Sequence, residues 1–283
     1  MQWHLIPTGR IHVNPGGPFG LVPRALWSRH HTPNEDGLIA MDMHALLIHS
    51  DGKIIVADNG LGDKLSDKAQ RNWGLEYPHG TLLENLAQHG VKPADVDIML
   101  DTHLHSDHCG GNTTVQGGKL MTTFPNAEYI VQRIEFADAM HPDARTRSTY
   151  LKENFEPVWR SNQFRFLHGD ADLTSEVHCI VTPGHTRGHQ SVILDAKDGP
   201  VLYTADLATF AVHMARTAWV TAYDVEPLEN IATKGKWQEW ALGHQALLVF
   251  EHDTQIPVGR LSADSEGRLQ VEAVEHHVLD AIQ

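Results

Sequence analysis

Cysteine is scarce in this sequence, with only Cys109 and Cys179 among 283 residues. Two cysteines cannot build the disulfide framework on which many small secreted proteins depend, and we expect both to be small buried thiols. Residues 1–5 also lack the basic and apolar segments of a signal peptide. These absences predict a cytoplasmic protein.

Basic residues and long apolar runs are scarce too. Lysine and arginine number 22 against 36 aspartates and glutamates, which gives a formal net charge of −14. Because no basic run offsets this charge, neither nucleic acid nor an anionic membrane is expected as a partner. No apolar stretch approaches the roughly 20 residues of a membrane-spanning helix. The chain is expected to be a globular protein that does not span a membrane.

Histidine, in contrast, is abundant, and three of the 21 histidines cluster with a carboxylate at His103, His105, Asp107 and His108. The cluster follows an apolar run at 96–100 that is typical of a buried strand. His103 and His105 are two residues apart and therefore point the same way on extended backbone. Imidazole and carboxylate together suit zinc and its transition-metal neighbours. Since one ion rarely takes four ligands from so short a segment, the pattern favours two neighbouring ions.

The rest of the chain is predicted to be rich in strands, with a few helical pieces and no internal linker, so that residues 1–283 form one domain. Residues 2–13 are interpreted as an edge strand and 16–27 as an irregular loop, and the role of 141–162 stays open, with helix as one interpretation. Apolar periodicity predicts a helix at 82–87, and residues 133–140 are interpreted as a further helix. Further strands are predicted at 44–49, 53–57, 127–132, 177–182, 191–195, 201–204 and 246–250. A last hairpin is predicted at 260–274, with a short helix after it.

Several residues of metal-ligand type fall just past the ends of these strands. His185, Asp206 and His252 each follow an apolar strand, as His103 and His105 do. Because strand ends converge in α/β folds, we expect these side chains to meet. Asp58 also follows a strand, where it either orients a histidine ligand or forms a turn.

This ligand pattern resembles that of the metallo-β-lactamase superfamily over nearly the whole chain. The resemblance implies an α/β (α+β) fold, an αββα four-layer sandwich of two mixed β-sheets flanked by helices. It further implies a dinuclear site in which His103, His105 and His185 hold one ion. Asp107, His108 and His252 would hold the second ion, and Asp206 would bridge the two. The implied cofactors are two divalent ions, with Zn²⁺ favoured and Mn, Fe or Co as alternatives, and a homodimer is the implied assembly.

Shorter stretches resemble one branch of that superfamily, the quorum-quenching N-acyl homoserine lactonases and the related methyl parathion hydrolases. These stretches are 19–27, 33–35, 150–155, 188–191 and 250–253. The implied function is hydrolysis of lactones or carboxylic esters by a metal-bridging hydroxide, with Asp107 and Asp206 as catalytic residues. The alternatives are a phosphotriesterase on the same site, a thioesterase of glyoxalase II type, a mononuclear iron dioxygenase and a metal-binding module without turnover.

The substrate pocket is predicted less directly than the metal ligands. Lactonases of a neighbouring branch carry a tyrosine three residues after the bridging aspartate, where this chain has Thr209. Tyr223 or His213 could substitute for that tyrosine, and His189 is interpreted as a structural hydrogen-bonding residue. A small-molecule lactone, ester or organophosphate is the implied substrate. The candidate pocket residues are Phe19, Leu21, Trp27, Thr209, His213, Trp219 and Tyr223, with core packing as the alternative role for the bulky ones.

Overall fold

Residues 1–275 are described by the structure, which is a computed structural model. The strands are β1 Gln2–Val13, β2 Ile39–Ser50, β3 Lys53–Ala57, β4 Ile98–Leu100, β5 Thr113–Gln116, β6 Lys119–Thr122, β7 Glu128–Gln132, β8 Phe164–Leu167, β9 Ala171–Asp172, β10 Val177–Val181, β11 Gln190–Ala196, β12 Gly199–Tyr203, β13 Leu247–Val249, β14 Val258–Ala263 and β15 Leu269–Ala273. The helices are α1 Gly16–Phe19, α2 Arg24–Trp27, α3 Asp67–Trp73, α4 Leu82–Gln88, α5 Ser106–Cys109, α6 Arg133–Met140, α7 Glu156–Arg160, α8 Ala211–Ala215 and α9 Pro227–His244. Single 3₁₀ turns occur at Pro93–Asp95, Gly110–Asn112, Thr146–Ser148, Lys152–Asn154 and Ala205–Leu207.

Two mixed sheets make the centre of the fold. The first has the strand order β1-β2-β3-β4-β7-β8, and the second has the order β15-β14-β13-β12-β11-β10-β9. In the first sheet β3, β4, β7 and β8 run parallel, while β12 and β13 are the parallel pair of the second sheet. The carboxyl ends of these parallel strands are where the predicted ligands begin.

The alternation of side chains along the strands produces the layers. On β2, Leu46 and Ile48 belong to the cluster between the two sheets, together with Val192 and Leu194 of β11. Their neighbour Leu47 faces the other way and packs with Leu82 and Leu86 of α4. Strands buried on both faces explain the nearly continuous apolar runs in the sequence.

Helix α9 covers the outer face of the second sheet. Its Trp237 and Ala241 pack on Leu202 of β12 and Leu248 of β13. The order of layers is therefore helix, sheet, sheet, helix, which confirms the predicted αββα sandwich. None of the helices within residues 1–275 combines the length and the apolar character needed to cross a bilayer.

Most of the predicted elements are confirmed, with shifted ends. β1 is an edge strand, and the hairpin of β2 and β3 turns at Asp51 and Gly52, whose φ angles of 49° and 73° suit a two-residue turn. The loop prediction for 16–27 was wrong in part, because two single-turn helices, α1 and α2, form there around the buried Phe19 and Trp27. The strand predicted at 96–100 is shorter, and 141–162 contains α7 and two 3₁₀ turns. The helix predicted after the last hairpin lies outside the described residues.

Candidate metal centre

The predicted ligands converge at one edge of the two sheets. His103 follows β4, and α5 begins at Ser106, so that the chain turns between His105 and Asp107. His185 follows β10, Asp206 lies in the 3₁₀ turn after β12, and His252 follows β13. The structure thus brings together side chains from both sheets. The two that are furthest apart in the sequence, His103 and His252, are separated by 149 positions (252 − 103).

One group of ring nitrogens belongs to His103, His105 and His185. Their ligand atoms all lie within 4.8 Å of one another. His105 Nδ1 lies 3.0 Å from His185 Nε2. All three side chains are buried. This spacing suits three ligands of a single tetrahedral ion.

A second group contains Asp107, His108 and His252, again with ligand atoms within 4.8 Å. The Nε2 atoms of His108 and His252 are 3.2 Å apart, and each lies 4.0 Å from Asp107 Oδ2. Asp107 is the least buried member of the group. It is therefore the ligand nearest to an incoming molecule.

Asp206 lies between the two groups and contacts both of them. Its Oδ2 is 3.0 Å from His185 Nε2, in the first group. Its Oδ1 is 3.3 Å from His252 Nε2, in the second group. Its Oδ2 also lies 3.6 Å from His108 Nε2, in the second group, so the carboxylate is within reach of both clusters, as a bridging ligand would be.

The ring nitrogens that face away from the centre have acceptors. His185 Nδ1 lies 2.9 Å from Asp224 Oδ1, and His252 Nδ1 lies 2.7 Å from the carbonyl oxygen of Asp42. His108 Nδ1 lies 3.2 Å from Asp58 Oδ2 and 3.1 Å from Glu251 Oε2. Acceptors at Nδ1 hold the proton there and leave Nε2 free as a ligand atom.

Burial and charge set the protonation of the cluster without metal. Burial, reinforced by its histidine neighbours, lowers the pKa of His103 well below its ordinary value. Burial acts in the same direction on His252, but the Asp206 carboxylate outweighs it and raises the pKa of His252 to about 9. Burial would raise the pKa of Asp206, yet His185 and His252 hold it well below the usual range. At neutral pH the metal-free centre therefore holds Asp206 as a carboxylate and His103 as a neutral ring, while His252 keeps a proton that a bound metal would displace.

The donor set fits divalent transition-metal ions. His103 Nε2 is buried, and no protein group within residues 1–275 pairs with it. An unpaired buried ring nitrogen is costly unless it binds a ligand. Neutral imidazole and carboxylate are the donors that zinc accepts. The seven predicted ligands therefore have the chemistry and the spacing that a pair of zinc ions requires.

Asp58 belongs to a buried polar network behind His108. Its Oδ1 accepts from the backbone N–H of Thr102, 2.8 Å away, and its Oδ2 contacts His108. The Tyr203 hydroxyl donates to Glu251 Oε2 at 2.5 Å, and burial raises the pKa of Glu251 to about 8. Asp58 also has a positive φ of 56°, so it both turns the chain and contacts a histidine.

The predicted pocket residues are placed unevenly around the centre. Phe19 and Trp27 stack with ring centroids 5.3 Å apart inside a buried aromatic cluster, whereas Leu21 is fully exposed. Thr209 is buried, and its hydroxyl donates to Asp206 Oδ1 at 3.3 Å. The remaining three are the buried His213, the partly buried Trp219, and Tyr223, whose pKa is raised by burial and by the nearby Asp107 and Asp206.

Asp224 and Glu251 are the contacts that sequence reasoning missed. Glu251 precedes the predicted ligand His252, and that position at a strand end was an available signal. Asp224 lies in a loop without a strand or motif beside it, so only the folded chain reveals its contact with His185. His189, predicted to be structural, contacts the Thr182 hydroxyl at 2.8 Å through Nδ1.

Replacing Asp224 by asparagine is expected to weaken metal affinity about 10- to 100-fold, because the amide no longer supplies a charged acceptor for His185 Nδ1. Competition with a chromophoric chelator measures this affinity. Asp172→Asn is the matched control, since Asp172 forms a similar contact of 2.6 Å with His178 on the surface. Equal affinities in the two variants would contradict the assigned role of Asp224.

Comparison with known proteins agrees with this geometry. The sequence profile of the Metallo-beta-lactamase superfamily matches residues 44–219. An N-acyl homoserine lactonase from a Bacillus species is 28% identical over 239 residues, which cover 79% of this chain and 85% of the relative. A probable metal-dependent hydrolase from Staphylococcus aureus superimposes with a TM-score of 0.86 at 27% identity, over 97% of both chains. AidC, a dizinc quorum-quenching lactonase, has a TM-score of 0.78 at 19% identity, over 97% of this chain and 94% of its own, and shows the shared fold.

Fold and site together define a metal-dependent hydrolase. The chain belongs to the metallo-beta-lactamase superfamily. The predictions of family, fold class and metal-dependent hydrolase are confirmed at this level. The prediction of a single domain and the role of each site residue stay predictions.

Proposed function

We propose that this chain opens lactones of the N-acyl homoserine type, or cleaves carboxylic esters, at a centre of two zinc ions. The single observation that carries the proposal is the position of Asp206, whose carboxylate lies between two groups of ligand atoms and contacts both of them. Curated relatives over most of the chain's length are N-acyl homoserine lactonases, which supports the lactone as substrate.

Zinc ions bound by these residues would supply a nucleophile at neutral pH and withdraw electron density from the substrate carbonyl. The chain's own groups then orient the substrate and move protons. Asp107, the least buried ligand, is positioned to pass a proton to the departing alkoxide oxygen. Overall, water adds across the ring C–O bond and gives a hydroxy acid. No serine or cysteine nucleophile is required.

Tyr223 is the proposed partner of the substrate carbonyl. It is 37% exposed, so part of its side chain reaches solvent, and the negative charges of Asp107 and Asp206 act together with burial to raise the pKa of its hydroxyl. A phenol with a raised pKa stays protonated and can donate a hydrogen bond. His213, by contrast, is buried, and burial lowers its pKa well below the ordinary value. Lactonases of a neighbouring branch carry a tyrosine at the position of Thr209. We propose that Tyr223 takes the role of that tyrosine in this chain.

The test is metal content together with a substrate panel. We expect two zinc ions per chain by mass spectrometry and faster hydrolysis of N-hexanoyl homoserine lactone than of paraoxon. A reversed preference would establish the alternative phosphotriesterase. One iron per chain would favour a dioxygenase, and metal-loaded protein without turnover on lactones, esters, thioesters and phosphoesters would contradict hydrolysis at this site.

Replacing Tyr223 by phenylalanine is expected to lower kcat/KM for the lactone about 100-fold, because a donor to the developing oxyanion is lost. Steady-state kinetics measures the effect, and bound metal should stay unchanged because Tyr223 is not among the proposed ligands. An unchanged rate would remove Tyr223 from the substrate contact. Loss of metal would show instead that the substitution disturbs the centre.

A further inference from the structure

A cavity separate from the metal centre lies behind the loop that carries His103 to His108. The volume within which the centre of a water molecule can move there is about 110 Å³. A single buried water needs roughly 10–15 Å³ on the same measure, so the cavity can hold a small organic molecule. Its wall includes Gly111, three residues after His108, and Asn59, which follows Asp58. The metal ligands themselves do not line it.

Two side chains in the wall of this cavity carry buried polar atoms that are unpaired within residues 1–275. Asn59 is 1% exposed and Thr123 is 6% exposed, and both side chains line the cavity. Within residues 1–275, no protein group pairs with Asn59 Oδ1 or Thr123 Oγ1. Buried polar atoms without a partner are uncommon in folded proteins and call for a ligand or water.

The orientation of the Asn59 amide is fixed by its neighbours. Asn112 Nδ2 donates to Asp101 Oδ2 at 2.9 Å, which leaves Asn112 Oδ1 as an acceptor. Asn59 Nδ2 donates to that oxygen at 2.7 Å. A flipped Asn59 would place two oxygens against each other, so its Oδ1 is the atom left over.

The other hydroxyl groups of the wall already have partners. Thr8 donates to the carbonyl of Met43, and Thr113 donates to the carbonyl of Glu153. Thr114 donates to Asp63 Oδ2. The available hydrogen-bonding capacity of these residues is therefore concentrated at Asn59 and Thr123.

Part of the cavity wall is apolar. Leu82 is buried, and Tyr77 and Leu83 are the more exposed apolar residues of the wall, each 37% exposed. Pockets with an apolar wall and a few polar atoms at fixed positions are typical of small-molecule sites. Within residues 1–275, Asp63 is the one charged residue that lines the cavity, and it is exposed, so no buried charged side chain is among the lining residues.

We propose that this cavity binds a small primary alcohol, with its hydroxyl between Asn59 and Thr123 and its alkyl chain along Leu82 and Leu83. A hydroxyl group both donates and accepts, so it satisfies the acceptor Asn59 Oδ1 and the Thr123 hydroxyl together. An ammonium group between Asn59 and Thr123 would have no buried counter-charge among the lining residues and would leave the Thr123 proton unpaired. A purely apolar molecule would leave both atoms unpaired.

Saturation-transfer NMR of the metal-loaded protein with 1-butanol tests the proposal. For five heavy atoms we expect a Kd on the order of 1 mM. Thr123→Val removes the hydroxyl with little change of shape and should abolish saturable binding. Leu83→Trp places a larger side chain in the cavity wall and should weaken binding of the alcohol at least about tenfold. Thr122→Val is the matched control on the neighbouring residue, which does not line the cavity, and should bind as the wild type does.

Three results would overturn the proposal. Absence of saturable binding to the wild type would mean that the cavity holds water only. Binding that persists in both Thr123→Val and Leu83→Trp would place the alcohol elsewhere, for example at the metal centre. Equal loss of binding in Thr122→Val and Thr123→Val, with circular dichroism spectra like that of the wild type, would show that binding does not depend on the hydroxyl that lines the cavity.

Discussion

Replacing Asp206 by asparagine is expected to lower lactone hydrolysis by at least about 1,000-fold and to reduce bound metal from two ions to one. Asparagine keeps the size of the side chain and one carbonyl oxygen. It loses the negative charge and the second oxygen, so it cannot serve His185 and His252 together, which lie 3.0 and 3.3 Å from the two oxygens. Metal content after dialysis and kcat/KM on the same samples measure both effects.

The matched control for this substitution is Asp195→Asn. Asp195 also contacts a histidine through a carboxylate oxygen, His178 Nε2 at 3.2 Å, but on the exposed surface of β11. Exposed ion pairs contribute little, so this variant should keep both ions and full activity. Retention of two tightly bound ions by Asp206→Asn would remove Asp206 from the bridging position, and equal losses in both variants would point to a general effect of removing a carboxylate.

The metal centre could be predicted from sequence because each ligand is marked by its own neighbours in the chain. His103, His105 and His108 follow one strand, and His185, Asp206 and His252 each follow another apolar strand. Strand ends meet at a sheet edge in this kind of fold, so positions along the chain were enough to predict proximity. The resemblance to a known family then supplied the pairing of the ligands.

The surroundings of the centre depend on tertiary contacts and could not be predicted in the same way. Helix α9 was missed because polar side chains, Asn230, Lys234 and Gln238, occupy buried positions and break its apolar stripe. Asp224 reaches His185 from a loop that no pattern marks. Leu21 and Phe19 are neighbours in one short segment, yet one is fully exposed and the other fully buried. Such differences arise from how loops pack, which periodicity does not encode.

Removing the metal ions is expected to lower the melting temperature by about 10 °C at pH 7 and by more at pH 9. Metal at about 1,000 times its Kd stabilises the native state by about 4 kcal/mol, and each kcal/mol shifts the melting temperature of a chain of this size by roughly 2–4 °C. The pH dependence follows from the protons that the metal-free centre holds. Asp206 raises the pKa of His252 to about 9 against the opposing effect of burial, while an unfolded histidine titrates near 6.5.

The sign of the pH effect follows from linkage. A pKa raised on folding contributes stability that is fully present below about 6.5 and is lost as the pH rises through about 9. Glu251 acts in the same direction, because burial raises its pKa to about 8 and its contribution is lost as the pH rises from about 4.5 to that value. Bound metal displaces the His252 proton, so metal affinity rises over the same pH range. The metal-free protein therefore loses stability between pH 7 and pH 9 while metal binding gains strength.

Thermal unfolding followed by circular dichroism, on chelator-treated protein and on the same sample reloaded with zinc, measures the difference at pH 7 and at pH 9. At each pH we take the difference in melting temperature between zinc-loaded and metal-free protein. Comparing this difference at pH 7 and at pH 9 cancels the effects of alkaline pH that both forms share. Reloading with magnesium is the control, because a site of five imidazoles and two carboxylates at close spacing suits zinc and not an ion that prefers oxygen ligands. A difference that shrinks from pH 7 to pH 9 would contradict the proposed protonation of His252, and equal recovery with magnesium would contradict a transition-metal centre.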